Sequence, residues 1–393
     1  PSPVEDMSHG SDIVLIGHPF APIGCGESLR CSYRAFRSVA LAPRLLDVYG
    51  HFKPEHDAER EFGPALTDTL GRINVFHLNA DEVDNALSLL KLPADSYNIL
   101  YPNWELSHFP EPWIGALDRF DEVWCPSGFI FDSINGHTRA ITRHLPVACE
   151  VTLSSMLSRR YFGIPESAFA FLFFFDFRSF AARKNPDAVV NAFLQHCRAL
   201  PAANSHLVVK TNGAEADPAA FERLQNTLSP LRGRVTFINK TISDNEIKNL
   251  VRCCDSFVSL HRSEGYGRGL AEAMYLAKPL ICTGYSGNLD FMDAKSALLT
   301  DFSLIPVKDG EYPFAAGQVW ADADVEQAAR FMSELYLDRN RARELGKQAS
   351  RTVRSRVSYR TVGMNYRKRI QEIRDAMPDG AGVRACQSAP PAP

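Results

Sequence analysis

Hydrophobic positions in this chain cluster in short continuous runs, separated by polar, glycine-bearing turns and by amphipathic stretches. IVLIG at 13–17 and the phenylalanine-rich run 168–175 suit strands of a parallel sheet covered on both faces. Further strands are predicted at 73–78, 97–101, 120–125, 206–210, 234–238, 258–260 and 280–283. Helical spacing follows most of them: 28–42 (stopped by Pro43), 82–90, the segment opened by PSGFIFDSI, 186–197, 243–252 and 270–277. Ser243 and Glu246 form a capping box at the start of the fifth of these. The alternation restarts after about residue 155, which predicts an α/β chain with two Rossmann-like parallel sheets. Late strands at 297–306 and 319–320, then helices at 325–337, 340–354 and 359–377, complete the pattern. Residues 1–11 read as a loose leader. The Pro-, Gly- and Ala-rich residues 378–393 read as a disordered tail.

Composition narrows the class. A length of 393 residues is enough for two cores. The net charge of −3 gives no case for nucleic-acid binding by the whole protein. The nine cysteines are scattered and odd in number, and none forms a C-x-x-C pair, so reduced thiols are expected. No apolar run approaches the roughly 20 residues of a membrane span, and the first twelve residues lack a signal-peptide core. Asp322 and Asp324 are read as a helix-capping region, not as metal ligands.

Candidate chemistry concentrates in VSLHRSEGYGRGLAEAMYLAKPLICTGYSGN, residues 258–288. Gly265, Gly267 and Gly269 lie between a strand and a helix. A helix that starts there presents unpaired N–H groups and a positive dipole end, which suits a phosphate. Glu264 in the turn and Glu272 in the helix could accept hydrogen bonds from sugar or ribose hydroxyls. Together these describe a site for a nucleotide-sugar. Gly24 and Gly26 supply a second glycine loop before a helix expected to start near Glu27. On that helix Arg30, Arg34 and Arg37 share one face, either solvated or in contact with a phosphate or lipid headgroup. Lys210 ends a strand of the second half, and His18 and His77 also sit at strand ends, where they are read as structural.

The words RSEGYG, LAEAM, KP and GYSGN, in that order, resemble the E-x7-E signature of glycosyltransferase family 4, whose members are retaining enzymes of the GT-B fold. GCGESLR resembles the family loop that faces the donor phosphates, and PNWELSHFPEPW resembles its WELSEFP-x-x-W block, with His108 at a usually acidic position. The resemblance implies two Rossmann-like domains facing across a cleft. The first, 1–155, would take the acceptor and be completed by the helix at 359–377, which crosses back to it. The second, 156–358, would take the donor.

It also implies the reaction: transfer of a hexose, mannose or glucose in type, from a nucleoside-diphosphate sugar to a glycan or lipid-linked acceptor. No metal or cofactor is implied, since the nucleotide-sugar is a co-substrate. Arg178 and Lys184 match the basic pair that grips the diphosphate; the adjacent Arg183 ranks lower, because its side chain need not point the same way. Glu264 would hold the transferred sugar near its anomeric carbon, and Glu272 the ribose. Gly265, Tyr266, Gly267, Arg268, Gly269 and Leu270 would contact the donor, with Gly24, Gly26 and Lys210. Glu105 is a candidate for proton handling, and Trp104 and His108 for acceptor contact. The expected setting is bacterial surface polysaccharide or lipopolysaccharide synthesis, in the cytoplasm or peripherally at the inner face of the membrane. An inactive nucleotide-sugar-binding protein is the alternative.

Overall fold

The computed structural model describes residues 12–54 and 56–377, so the expected leader and tail lie outside the described residues. Two six-stranded parallel sheets follow one another along the chain. The first has the order β2-β1-β3-β4-β5-β6 and contains β1 (Ile13–Gly17), β2 (Arg44–Asp47), β3 (Ile73–Phe76), β4 (Tyr97–Leu100), β5 (Glu122–Cys125) and β6 (Ile141–His144). The second has the order β12-β11-β10-β7-β8-β9. Its strands are β7 (Phe169–Asp176), β8 (Ser205–Asn212), β9 (Val235–Asn239), β10 (Ser256–Ser259), β11 (Leu280–Thr283) and β12 (Leu298–Thr300). An antiparallel hairpin, β13 (Phe302–Pro306) and β14 (Val319–Ala323), leaves the second sheet.

Helices flank the strands, as parallel pairing requires. In the first half they are α1 (Gly24–Ser38), α2 (His56–Phe62), α3 (Val83–Leu89), α4 (Glu111–Leu117) and α5 (Gly128–Ile134). In the second they are α6 (Ala181–Lys184), α7 (Pro186–Ala199), α8 (Pro218–Leu228), α9 (Asp244–Cys253), α10 (Arg268–Tyr275), α11 (Val325–Leu337) and α12 (Arg339–Val357). The last helix, α13 (Tyr359–Ala376), returns to the first half, as the resemblance implied. Gly363 lets it approach α1 closely: a Cβ there would lie 2.3 Å from the Ala35 carbonyl oxygen. Tyr366 then reaches the Tyr101 and Ser32 hydroxyls at 3.1 and 3.2 Å, and Arg369 clamps the fully buried Glu122. One apolar cluster therefore runs from Ile13 and Leu15 through Leu270 and Met274 to Tyr366 and Ile373. The two halves share a core.

Several sequence expectations need correction. α1 begins at Gly24, so both of its glycines lie inside the helix and not ahead of it. Gly26 makes this start possible by sitting where a Cβ would meet the Ala21 and His18 carbonyl oxygens at 2.5 and 2.7 Å. The helix ends at Ser38, short of 42, because Ala40 turns to φ 60°. The arginine face of α1 is also not free. Arg30 is tied to Glu27 at 2.8 Å and to two carbonyls, and Arg34 to Glu61 at 2.7 Å. Only Arg37 of the three is exposed. A basic stripe able to lie on an anionic surface is therefore absent from α1. The capping box of Ser243 and Glu246 forms as expected, and Asp324 caps α11. Among the described residues no helix is long and apolar enough to cross a membrane.

Candidate active site

Between the carboxyl ends of the two sheets lies a cavity of about 400 Å³, lined by residues of both halves. This is where ligands bind in open α/β sheets. Glu264 stands in its wall, 9 % exposed, in the turn between β10 and α10. Backbone contacts hold that turn from two directions. The Glu264 N–H donates to Ser286 Oγ at 2.8 Å, and its carbonyl accepts from the Gly287 N–H at 2.9 Å. The neighbouring Arg262 N–H donates to the Arg183 carbonyl at 2.8 Å, fixing the turn to α6.

Two cations grip the carboxylate. Lys184 Nζ lies 2.5 Å from Oε1, and Arg183 Nη1 lies 3.2 Å from Oε2. Burial would push the Glu264 carboxyl up, but Lys184 and Arg183 overcome it and bring it down to about 2. It is ionised throughout the physiological range. Burial lowers the Lys184 ammonium, with Arg183 beside it adding to the effect.

α10 starts at the cavity, with Gly267 as its cap at φ 92°, a left-handed conformation that a side chain would strain. Gly265 serves a close approach across the cleft: a Cβ would lie 2.6 Å from the Trp104 carbonyl oxygen. The first N–H groups of α10 and its positive dipole end therefore face a cavity that already holds buried cations, an arrangement that favours an anion. Arg268 lines the cavity and reaches across to α1, donating to Ser28 Oγ at 2.9 Å.

Gly287 sets how closely the two turns approach. A Cβ there would lie 2.0 Å from the Gly265 carbonyl oxygen, a backbone atom that cannot step aside alone. Gly287→Ala is expected to displace the turn that carries Glu264. It should cost about 1–3 kcal/mol of stability, as overpacking does, and turnover should fall with it. Thermal unfolding and rate measurements check this; a variant with wild-type values in both would show that the turn tolerates the shift.

The cavity gathers ten of the residues singled out by sequence: Gly24, Glu105, Lys184, Glu264, Gly265, Tyr266, Gly267, Arg268, Gly269 and Leu270. Others lie elsewhere. Arg178 points away, its guanidinium paired with Asp176 at 2.9–3.0 Å, while the lower-ranked Arg183 occupies the cavity wall. Lys210 keeps company with Asp176 and Arg178; burial brings its ammonium down to about 8. Gly26 packs inside α1. Trp104 is 2 % exposed and sits in an aromatic cluster with Phe109, Trp113 and Tyr312, its indole N–H donating to the His108 carbonyl. His108 is exposed and joined to Gln318 of the hairpin. Packing, not ligand contact, explains Trp104 here. Sequence reasoning missed Ser28 and Asn103, which lie within the quoted words GCGESLR and PNWELSHFPEPW but were not singled out, Asn79 and Ser179, which no motif marks, and Tyr312, whose hydroxyl donates to Glu105.

Glu272 lies one turn into α10 beside Arg268, 8 % exposed and outside the cavity lining. Burial pushes its carboxyl up to about 7 against the pull of Lys248 and Arg268, with Glu27 adding to the rise. A carboxyl raised in the folded state stabilises below its ordinary value of 4.5, and that contribution is lost as pH rises through about 7. Wild-type stability relative to Glu272→Gln should therefore fall by up to roughly 3 kcal/mol between pH 4.5 and pH 8. Urea unfolding of both proteins across that range is the check, and a flat difference would contradict it.

Among the described residues no group of three or more His, Cys, Asp or Glu side chains converges as metal ligands. The architecture of two parallel six-stranded sheets enclosing such a cavity is that of the GT-B proteins. Residues 171–316 match the family model described as "Glycosyl transferases group 1". No curated protein matches the sequence. Among solved structures, HepE of Anabaena in complex with UDP and glucose is similar at TM-score 0.67 and 13% identity, over 92% of this chain and 99% of that one. Sucrose-phosphate synthase of Thermosynechococcus elongatus follows at TM-score 0.66 and 14% identity, over 93% and 99%. A glycosyltransferase of Rickettsia africae gives TM-score 0.64 at 12% identity, over 94% and 100%. Over residues 171–316 the chain is thus similar to the group 1 glycosyl transferases, and its fold is that of the GT-B proteins.

Proposed function

We propose that the protein transfers a hexose, of glucose or mannose type, from a nucleoside-diphosphate sugar to a hydroxyl of a glycan or lipid-linked acceptor, with retention of anomeric configuration. The first half would receive the acceptor and the second the donor. The observation that carries this reading is the ionised Glu264, gripped by Lys184 and Arg183 beside the start of α10. The donor diphosphate would lie against the first N–H groups of α10 and the cavity cations, which supply the neutralising charge without a metal. The bond from C1 to the phosphate oxygen breaks, and a bond from C1 to the acceptor oxygen forms on the same face. The acceptor proton passes to the departing phosphate oxygen. Glu264 stands beside the anomeric carbon and stabilises its developing positive charge. Arg178 would join the site after exchanging Asp176 for phosphate.

The similar HepE structure holds UDP and glucose, which puts UDP-glucose first among donors to try. A surface-glycan pathway and a lipid-linked acceptor would bring the protein peripherally to a membrane. Incubation with UDP-glucose and GDP-mannose, with acceptor glycans added, tests the reading by NMR of the product. Retention at the anomeric carbon is expected. An inverted product removes the retaining assignment, and tight donor binding without turnover supports an inactive binding protein.

A further inference from the structure

We propose that Arg183 is a positioning residue: it orients the Glu264 carboxylate and ties that orientation to the meeting of the two halves through Glu105. The inference deepens the transferase reading and rests on it for its catalytic consequence, though not for its structural one.

Arg183 is 4 % exposed although it is a cation. Its Nη1 donates to the Ser263 carbonyl at 3.0 Å and to Glu264 Oε2 at 3.2 Å. Nη2 donates to the Ser179 carbonyl at 3.3 Å and lies 3.8 Å from Glu105 Oε1. Glu105 is held in turn by the Tyr312 hydroxyl. One guanidinium thus bridges a carboxylate of the second half and a carboxylate of the first. Its rigid fork can do so, whereas an ammonium is a single point charge.

Lys184 holds the other oxygen of Glu264, so each oxygen has its own cation. Without Arg183 the carboxylate would be free to pivot about Lys184. A pivot of this kind moves negative charge relative to the reacting carbon, and preorganised charge is what such a site contributes. Arg183 Nε is buried and has no partner among the described residues, yet the side chain lines the cavity.

The test uses wild type, R183M and R183K, with carboxyl-¹³C glutamate incorporated for NMR. The Glu264 resonance is the one lost in E264Q. In wild type it should show no inflection above about pH 4, as befits a doubly paired carboxylate. R183M should raise the inflection by at least about one unit, with R183K in between. An unchanged titration in both variants overturns the proposal; if R183M does not fold, R183K alone decides in the same way. With a donor in hand, R183M should lower kcat by about tenfold or more and change KM for the donor by less than about threefold. A loss confined to KM also overturns the positioning role. A wild-type protein that turns over no nucleotide-sugar would defeat the transferase reading, while the titration would still decide the role of Arg183.

Discussion

Glu264→Gln is expected to lower turnover by on the order of 10²–10³ while leaving affinity for the free nucleoside diphosphate within about threefold of wild type. The carboxylate sits at the cavity wall with its charge fixed by Lys184 and Arg183, and a diphosphate would meet Lys184 and the α10 amides. An amide keeps the shape and loses the charge, so the cost falls on the step in which positive charge develops at the sugar. The variant should also be less stable. Two buried cations would lose their shared counter-ion, and breaking a buried pair costs about 3–5 kcal/mol at most. Arg183 retains Glu105, which places the expected cost toward the lower end. Steady-state rates, calorimetric titration with nucleotide and urea unfolding together check the pattern. A collapse of free-nucleotide affinity would mean that Glu264 serves the nucleotide and not the sugar.

Lys184→Met should also cost on the order of 10²–10³ in turnover, but with a different signature. Lys184 lines the cavity and is the nearer of the two cations on Glu264. Removing it takes away a positive charge that a diphosphate would meet, so nucleotide affinity should weaken by about tenfold or more. Glu264 should titrate higher, because its nearest partner is gone. Titration calorimetry with the nucleotide separates the two variants: Glu264→Gln spares binding and Lys184→Met does not. Wild-type turnover in Lys184→Met would remove it from the site.

The stretch from β10 to β11 was the most legible part of the chain. Its glycines, its proline and Glu264 follow local rules, and β11 and α11 begin and end where their patterns predicted, whereas α10 starts and ends two residues earlier than predicted and Glu272 lies outside the cavity lining. Both sheets were legible through their most apolar strands, β1 with IVLIG and β7 with FAFLFFFD. Strands β2 and β6 were not. Each has four residues at a sheet edge, and β6 carries the half-polar ITRH with no buried residue. The start of α1 was misjudged because two glycines resemble a loop until Gly26 is seen against the His18 and Ala21 carbonyls. The choice between Arg178 and Arg183 depended on side-chain direction. A one-turn helix, α6, set between left-handed Phe180 and Asn185, turns Arg183 inward. No periodicity in the sequence announces such a turn. The contact of Tyr312 with Glu105 joins positions far apart in the chain, and neither residue type signals the other.

Binding of a nucleoside diphosphate is the requirement common to every step proposed here. A thermal-shift panel of UDP, GDP, dTDP and ADP, run on wild type and on Lys184→Met, tests it directly. A ligand at about 100 times its Kd stabilises the folded state by roughly 2.7 kcal/mol, a rise of a few degrees in Tm. At least one of the four should raise the wild-type Tm by that order, and the same nucleotide should do so much less in Lys184→Met. Four nucleotides that leave the wild-type Tm unmoved at millimolar concentration would contradict the nucleotide-sugar assignment of this cavity.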